Sequence, residues 1–237
     1  MLTLALDTTT RGGSAALTDT TSVLGLVPGD AARTHGERLP GDLAQALREA
    51  VRTLSEVGLL AVAHGPGAFT GIRIGLACMQ GLAVTTGLPV VGVSALEALA
   101  YAHSRGTAPV WLGACMDAGR GEVFLQWFRP DTSRAWGMAP VEAPAVMAVQ
   151  AVTAPVAIPA DGPLVLCGDG AAKLGAHLGP HWQVADDVGP LAPAVAALAH
   201  LTWIADPDAQ RWMPDALEPL YVRRPDVEIT REAQRHP

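Results

Sequence analysis

A chain of 237 residues with 49% hydrophobic residues is long enough for one large domain or two small ones around a substantial core. Its formal net charge of −7 argues against unaided binding to nucleic acid or to an anionic membrane surface, because both need an excess of Lys and Arg. The three cysteines are widely spaced in apolar runs, which predicts buried thiols in a reducing compartment and neither disulfides nor a zinc site.

The chain begins with three predicted strands. Leu2, Leu4 and Leu6 alternate with Thr3 and Ala5, the pattern of a strand that ends at residue 7. Two more strands are expected, and with the first they form an antiparallel meander; they cover residues 14–17 and 23–27.

Alternating helices and strands follow the meander. A loop over 28–37 precedes a helix that begins at Pro40 and runs to about Ser55. The order β-β-β-α-β-α-β-α predicts a mixed sheet covered by helices. The remaining elements of this half are a strand over 59–63, a helix capped by Thr70 that runs to 86, a strand over 90–93 and a helix capped by Ser94 that runs to 104.

A glycine-rich loop over 63–75 joins the strand 59–63 to the helix that follows it. Such a loop at a helix N-terminus suits an anion, but it has neither the Gly-Lys-Ser/Thr ending of a P-loop nor the spacing of a dinucleotide fold. The alternative is that its glycines let a tight turn pass close to neighbouring backbone. The candidate residues of a loop or anion site, with the end of the first strand included, are Asp7, Thr8, Gly65, Gly67 and Thr70. Asp7 would hold a metal-bound water while hydroxyls contact phosphate. The alternative for Asp7 is a carboxylate that accepts backbone hydrogen bonds and turns the chain.

The helix over 70–86 is apolar nearly all round. Gly71, Gly75 and Cys78 lie on one stripe, and such small residues allow another helix to approach closely. One interpretation is that this stripe faces a partner chain, and the other is that the helix belongs to an ordinary core.

The sequence pattern of the second half of the chain predicts a second, smaller unit. Strands over 110–116 and 122–128 flank a turn typical of a β-hairpin. Residues 129–160 have weak periodicity and receive no assignment. We expect a first lobe over 1–105, a second lobe over 106–216 and a C-terminal extended segment and tail over 217–237. Later elements are a strand over 164–167, a short helix to 177, a strand over 182–185, a helix over 193–205 and an extended segment over 219–223.

No catalytic or metal-binding set is predicted. His35 and Glu37 lie on the predicted loop, where they would serve acid–base chemistry or cap a helix. His177 and His181 have the spacing of metal ligands, but Gly179 and Pro180 break the helix that this spacing requires.

Several motifs occur in an order shared with one known family. They are residues 6–9, 35–39, 65–75, 91–100, 117–124 and 219–223. Through them the chain resembles the bacterial TsaB (YeaZ) family of tRNA threonylcarbamoyladenosine biosynthesis proteins, most densely over 1–104. It departs from the family at Gly36 and Ala68, where Ser is usual, and at Gly119, where a basic residue is common.

The resemblance implies an α/β, two-lobed, actin-like or Hsp70-like ATPase (ASKHA) fold with mixed sheets flanked by helices. It also implies that this chain has no catalysis and no cofactor of its own. The implied partners are TsaD, which transfers the threonylcarbamoyl group to adenosine 37 of tRNAs reading codons that begin with A, and TsaE. Metal would sit on TsaD, ATP at the complex interface, and tRNA would be reached only through the complex.

In the family, the first-lobe helices bundle with TsaD or with a second copy of the chain. We expect Gly75→Leu to abolish that pairing and to leave the monomer folded. The enzyme-class alternative is an ATP-binding phosphotransferase or ATPase that uses Asp7 and the loop 65–71. Residues 1–7 carry no basic leader and no apolar run spans a membrane, so we expect a cytoplasmic protein without membrane contact. The expected partner contacts are Leu43, Leu47, Gly71, Arg73, Gly75 and Cys78.

Overall fold

The residues that the structure describes form two β-sheets, and the first has the strand order β3-β2-β1-β4-β5. The computed structural model describes residues 1–20, 22–105, 110–155, 164–185 and 189–223. The first three strands pair antiparallel, whereas β4 pairs in parallel with β1 and β5 pairs in parallel with β4. This arrangement confirms the predicted mixed sheet. The strands are β1 (Leu2–Asp7), β2 (Ser14–Asp19), β3 (Ser22–Pro28), β4 (Val57–Gly65) and β5 (Val90–Ser94).

Helices cover both faces of this sheet because successive β1 side chains point to opposite sides. Leu4 and Leu6 pack in one cluster with the first two helices, whereas Ala5 packs in another with the last helix. A further helix, α3, lies between the two sheets: it packs with the second sheet through Leu96 and Leu99, and it also contacts the last helix and the first sheet. The helices are α1 (His35–Glu49), α2 (Phe69–Thr86), α3 (Ala95–Ser104), α4 (Ala171–Leu178) and α5 (Ala192–Ala205).

The bounds of α1 differ from the prediction. A capping box formed by Thr34 and Glu37 starts the helix at His35, so residues 35–37 are helical and Pro40 lies inside the helix. The helix ends at Glu49 and not near Ser55, since Val51 has a φ of 53°. The predicted cap of α2 is also wrong, because Ala68 occupies the N-cap position and Thr70 lies in the first turn.

The Glu37 capping box makes stability sensitive to acid. Hydrogen bonds donated by the Thr34 hydroxyl and backbone N–H hold the pKa of Glu37 below its ordinary value of 4.5. A carboxyl group whose pKa is lower in the folded than in the unfolded state adds to the free energy of unfolding at pH values above its unfolded-state pKa. That contribution is lost as the pH falls through the folded-state pKa. Glu37→Gln is therefore expected to lower the urea midpoint at about pH 7, with a difference from wild type that shrinks by about pH 3. An equal difference at both pH values would contradict this account.

The second sheet has the strand order β11-β10-β6-β7-β8, and β9 pairs with β7. Its β6–β7 hairpin confirms the predicted one, and Gly119, Arg120 and Gly121 at its tip all have positive φ. The weakly periodic stretch forms β8 and β9, which the sequence left unassigned. The strands are β6 (Trp111–Gly119), β7 (Glu122–Pro130), β8 (Met138–Pro140), β9 (Ala145–Ala148), β10 (Leu164–Cys167) and β11 (Trp182–Val184).

The helix α5 returns to the first sheet. This helix lies within the range 106–216 assigned to the second lobe, yet it packs against β1, β2, β4 and β5. It is apolar nearly all round, and Ala192, Val195 and Ala199 fill the face of the first sheet that α1 and α2 leave open. The predicted boundary at 106–109 and the tail from 224 lie outside the described residues. No helix in the described ranges is long and apolar enough to cross a bilayer.

Candidate functional site

Asp7, the candidate residue for holding a metal-bound water at the end of β1, is only 1% exposed. Its Oδ1 accepts hydrogen bonds from the Thr9 backbone N–H at 2.8 Å and the Thr9 hydroxyl at 2.6 Å, and its Oδ2 accepts one from the Thr10 hydroxyl at 3.0 Å. Burial raises the pKa of Asp7, and the threonine hydrogen bonds oppose that rise. The Asp7 carboxylate therefore stabilises the turn that follows β1.

The glycine-rich loop packs closely against its own chain. Gly65 and Gly67 have φ values of 125° and 157°. A Cβ added to Gly65 would lie 2.5 Å from the Leu220 carbonyl oxygen, and one on Gly67 would lie 2.5 Å from that of Thr9. This geometry supports the close-approach interpretation of these two glycines.

A cleft of about 940 Å³ separates the two lobes. Of the five anion-binding candidates, only Gly67 and Thr70 line it; Asp7, Thr8 and Gly65 do not. Its other walls come from residues 9–11, 31–35, 116–118, 169 and 220–223, and from parts of α2 and β7.

His35, at the start of α1, lies on the wall of the cleft. Burial and the neighbouring Arg38 guanidinium, 3.0 Å from its Nδ1, lower the pKa of His35, so the neutral ring is favoured near neutral pH. Glu37 belongs to the capping box, as one of the two interpretations of this pair held.

Metal ligands do not gather in the part of the chain that the structure describes, where no group of three His, Cys, Asp or Glu side chains could hold an ion. The Nε2 of His177 lies 3.2 Å from the Val152 carbonyl oxygen. Cys115 and Cys167 are buried and free, and burial raises the pKa of each thiol to about 12, which makes them unreactive.

Three of the six predicted partner contacts are buried within the chain itself. Leu43 belongs to the core beneath α1, with 7% of its surface exposed. Gly71 and Gly75 are buried against Thr8, because a Cβ at Gly71 would overlap its carbonyl oxygen and one at Gly75 its hydroxyl. The small-residue stripe thus lets α2 approach the end of β1. Gly75→Leu is consequently expected to disturb the monomer itself, contrary to the prediction from sequence.

Arg73 is exposed but already has partners within the chain. Its Nε donates a hydrogen bond of 2.8 Å to the Tyr221 hydroxyl, and its guanidinium lies 4.0 Å from the centre of the Phe69 ring. This side chain therefore joins α2 to the C-terminal segment.

A different strip of α2 faces outward, and with Leu47 of α1 we call it the outer helix face. Leu47 and Cys78, two of the predicted contacts, are half-buried here beside the exposed Ala77 and Gly81. A Cβ added to Gly81 would meet nothing within 4 Å. Val84 is 71% exposed. Because the helix is apolar nearly all round, sequence periodicity alone could not select this strip. The outer helix face comprises Leu47, Ile74, Ala77, Cys78, Gly81 and Val84.

The known proteins that this chain resembles include TsaB and TsaD proteins. The sequence model of the TsaD family, described as tRNA N6-adenosine threonylcarbamoyltransferase, matches residues 14–150. The chain is 34% identical over 139 residues to the tRNA threonylcarbamoyladenosine biosynthesis protein TsaB of Escherichia coli, a match that covers 57% of this chain and 58% of that protein. A tRNA N6-adenosine threonylcarbamoyltransferase of Ruegeria sp. is 43% identical over 72 residues, which cover 30% of this chain and 20% of the transferase.

A solved structure extends the similarity to most of the fold. The structure of YeaZ from Pseudomonas aeruginosa superposes with a TM-score of 0.78 at 27% identity, and the match covers 93% of this chain and 99% of that one. In the sequence comparisons, however, the chain spans about half the length of the TsaB proteins it matches, 58% in one case and 51% in another.

Proposed function

Because this chain belongs to the TsaB (YeaZ) family, we propose that it is a non-catalytic subunit that binds and activates TsaD. In this proposal TsaD transfers the threonylcarbamoyl group to adenosine 37 of tRNAs that read codons beginning with A. The reaction occurs on the partner, and this chain supplies a docking surface and a rigid support.

The observation that carries the proposal is the outer helix face. Val84 and Ala77 leave apolar surface open to solvent beside the half-buried Ile74, on a helix whose opposite side is buried. Such a patch on a stable helix favours a protein partner. Gly81 leaves room for a neighbouring backbone to approach closely, which suits packing against another helix.

The alternative, an ATP-binding phosphotransferase or ATPase, has weaker support. It relies on Asp7 and the loop 65–71, but the Asp7 carboxylate already accepts three hydrogen bonds within its own turn. Gly65, Gly67 and Gly71 are required by contacts with the chain itself. Residues committed to such contacts are poorly placed to hold a triphosphate and its metal.

The wider assembly follows from the same proposal. TsaE would join the complex, ATP would bind at an interface between subunits, and the metal would belong to TsaD. The net charge of −7 fits a chain that meets tRNA only through its partners. The same outer helix face would also support a homodimer of the isolated chain, and the complex would work in the cytoplasm.

Reconstitution tests the proposed role. Purified TsaD, TsaE, ATP, threonylcarbamoyl-adenylate and unmodified tRNA are incubated with and without this chain, and modified adenosine is measured by mass spectrometry. We expect product only in the complete mixture and no ATP turnover by this chain alone. Equal product without the chain would refute activation of TsaD, and saturable ATP turnover by the lone chain, lost in Asp7→Asn, would favour the alternative.

A further inference from the structure

The C-terminal segment over 213–223, which we call the C-terminal strap, runs across the first lobe. Gln80 on α2 donates hydrogen bonds from its Nε2 to the carbonyl oxygens of Pro214 at 2.8 Å and Leu217 at 3.1 Å. Leu217 is 8% exposed and packs in the same core cluster as α1 and α2. The strap is therefore built into the first lobe.

His64, at the end of β4, holds the middle of the strap from two sides. Its Nδ1 lies 3.0 Å from the Glu218 carbonyl oxygen, and its own carbonyl oxygen accepts a hydrogen bond of 2.8 Å from the Leu220 N–H. Gly92 on β5 leaves the space that Leu217 fills, since a Cβ there would lie 2.7 Å from the leucine Cδ1. The C-terminal strap therefore packs closely against the edge of the first sheet.

The end of the strap crosses to the second lobe. The Tyr221 hydroxyl accepts the Arg73 hydrogen bond, and its ring lies 5.1 Å from that of Phe69 at the start of α2. Two residues later, Arg223 donates a hydrogen bond of 2.9 Å to the Ala118 carbonyl oxygen and forms an ion pair with Glu122. Both of the latter residues belong to the β6–β7 hairpin.

The strap also forms part of the cleft wall, because residues 220–223 line the cavity between the lobes. The lobes are also joined at α3, whose Leu96 and Leu99 pack with the second sheet. Apolar packing at α3 can act as a pivot, whereas the polar contacts of Arg223 join the walls of the cleft itself. Two-lobed proteins commonly set the opening of such a cleft by closing on a ligand.

We propose that the C-terminal strap is an internal latch that holds the two lobes at a fixed opening without any ligand in the cleft. Arg73 and Gln80 anchor the strap to α2, and Arg223 is its contact with the second lobe. A fixed opening would keep the whole chain rigid. The inference concerns the isolated chain and does not depend on the partner proposed above.

Charge reversal at the latch tests the proposal. In Arg223→Glu, the ion pair becomes a repulsion with Glu122 and the hydrogen bond to Ala118 is lost. Spin labels on the exposed Ala77→Cys of α2 and Ala172→Cys of α4, in a Cys78→Ala background, report the separation of the lobes. Relative to the labelled protein with Arg223, we expect the distribution of distances between the two spin labels to be longer and broader. The amide hydrogen of Leu220 is expected to exchange about tenfold faster.

Two further variants make the result decisive. The reciprocal swap Arg223→Glu with Glu122→Arg restores an ion pair and should narrow the distribution again. Arg52→Glu disrupts the Arg52–Glu56 pair, which lies within the first lobe, and should leave the distribution unchanged. An unchanged distribution in Arg223→Glu would overturn the proposal, as would a broadening that the swap fails to reverse.

Discussion

Gly71→Ala is expected to destabilise the chain by about 2 kcal/mol, although alanine has the higher helix propensity. The added Cβ would overlap the Thr8 carbonyl oxygen, a backbone atom in the turn after β1 that has little freedom to move. Either α2 shifts away from β1 or the Asp7 turn distorts, and both changes loosen a packed core. Urea unfolding followed by circular dichroism measures the loss.

Gly81→Ala is the matched control, because both glycines lie on α2. A Cβ at Gly81 meets open space, so only helix propensity changes and a gain of about 0.5–1 kcal/mol is expected. Opposite signs at the two positions are the expected result. Stabilisation by both alanines would show that α2 does not depend on a close approach to Thr8.

If the outer helix face docks TsaD as proposed, Ala77→Glu is expected to weaken that binding about 100-fold and to leave the isolated chain as stable as wild type. Ala77 is exposed on the outer helix face, so its charge remains hydrated in the free chain. Docking of another helix there would bury an unpaired carboxylate, which is costly in free energy. Isothermal titration calorimetry with purified TsaD measures the affinity, and thermal unfolding checks the fold.

Ala172→Glu serves as the control for this substitution. Ala172 is also an exposed helical alanine, but it lies on α4 in the second lobe, and the added charge should not change the affinity for TsaD. If Ala77→Glu binds TsaD as tightly as wild type, the outer helix face is not the docking surface. If both variants bind weakly, the loss comes from net charge and not from position.

The elements of the first lobe were predictable because each has a local signal. Alternation over 2–7 and the glycine turns set the strands, and Ser94 begins α3 with its hydroxyl accepting the Glu97 N–H hydrogen bond as expected. The start of α1 was missed although its signal was present. Thr34 and Glu37 have the spacing of a capping box, whereas the preference of Pro40 for a first helical turn predicts a later start.

The exposed side of α2 was harder to predict, because this helix is apolar on nearly every side. Periodicity identified Gly71, Gly75 and Cys78 as one stripe, but it could not say which side of the helix meets solvent. In the structure Thr8 fills the space beside the two glycines, and the open strip lies beside the predicted one. The side of a uniformly apolar helix that remains exposed depends on what packs against the others.

By itself, the amino-acid sequence determined the family, the order of the first-lobe elements and the mixed character of their sheet, because these depend on local patterns and motifs. Only the tertiary structure decided that α5 returns to the first sheet, that Asp7 serves its own turn and that the C-terminal strap reaches across the cleft. The physical reason is that these features depend on contacts between residues far apart in the chain. Arg223 and Glu122 are one such pair, and no local pattern encodes their meeting.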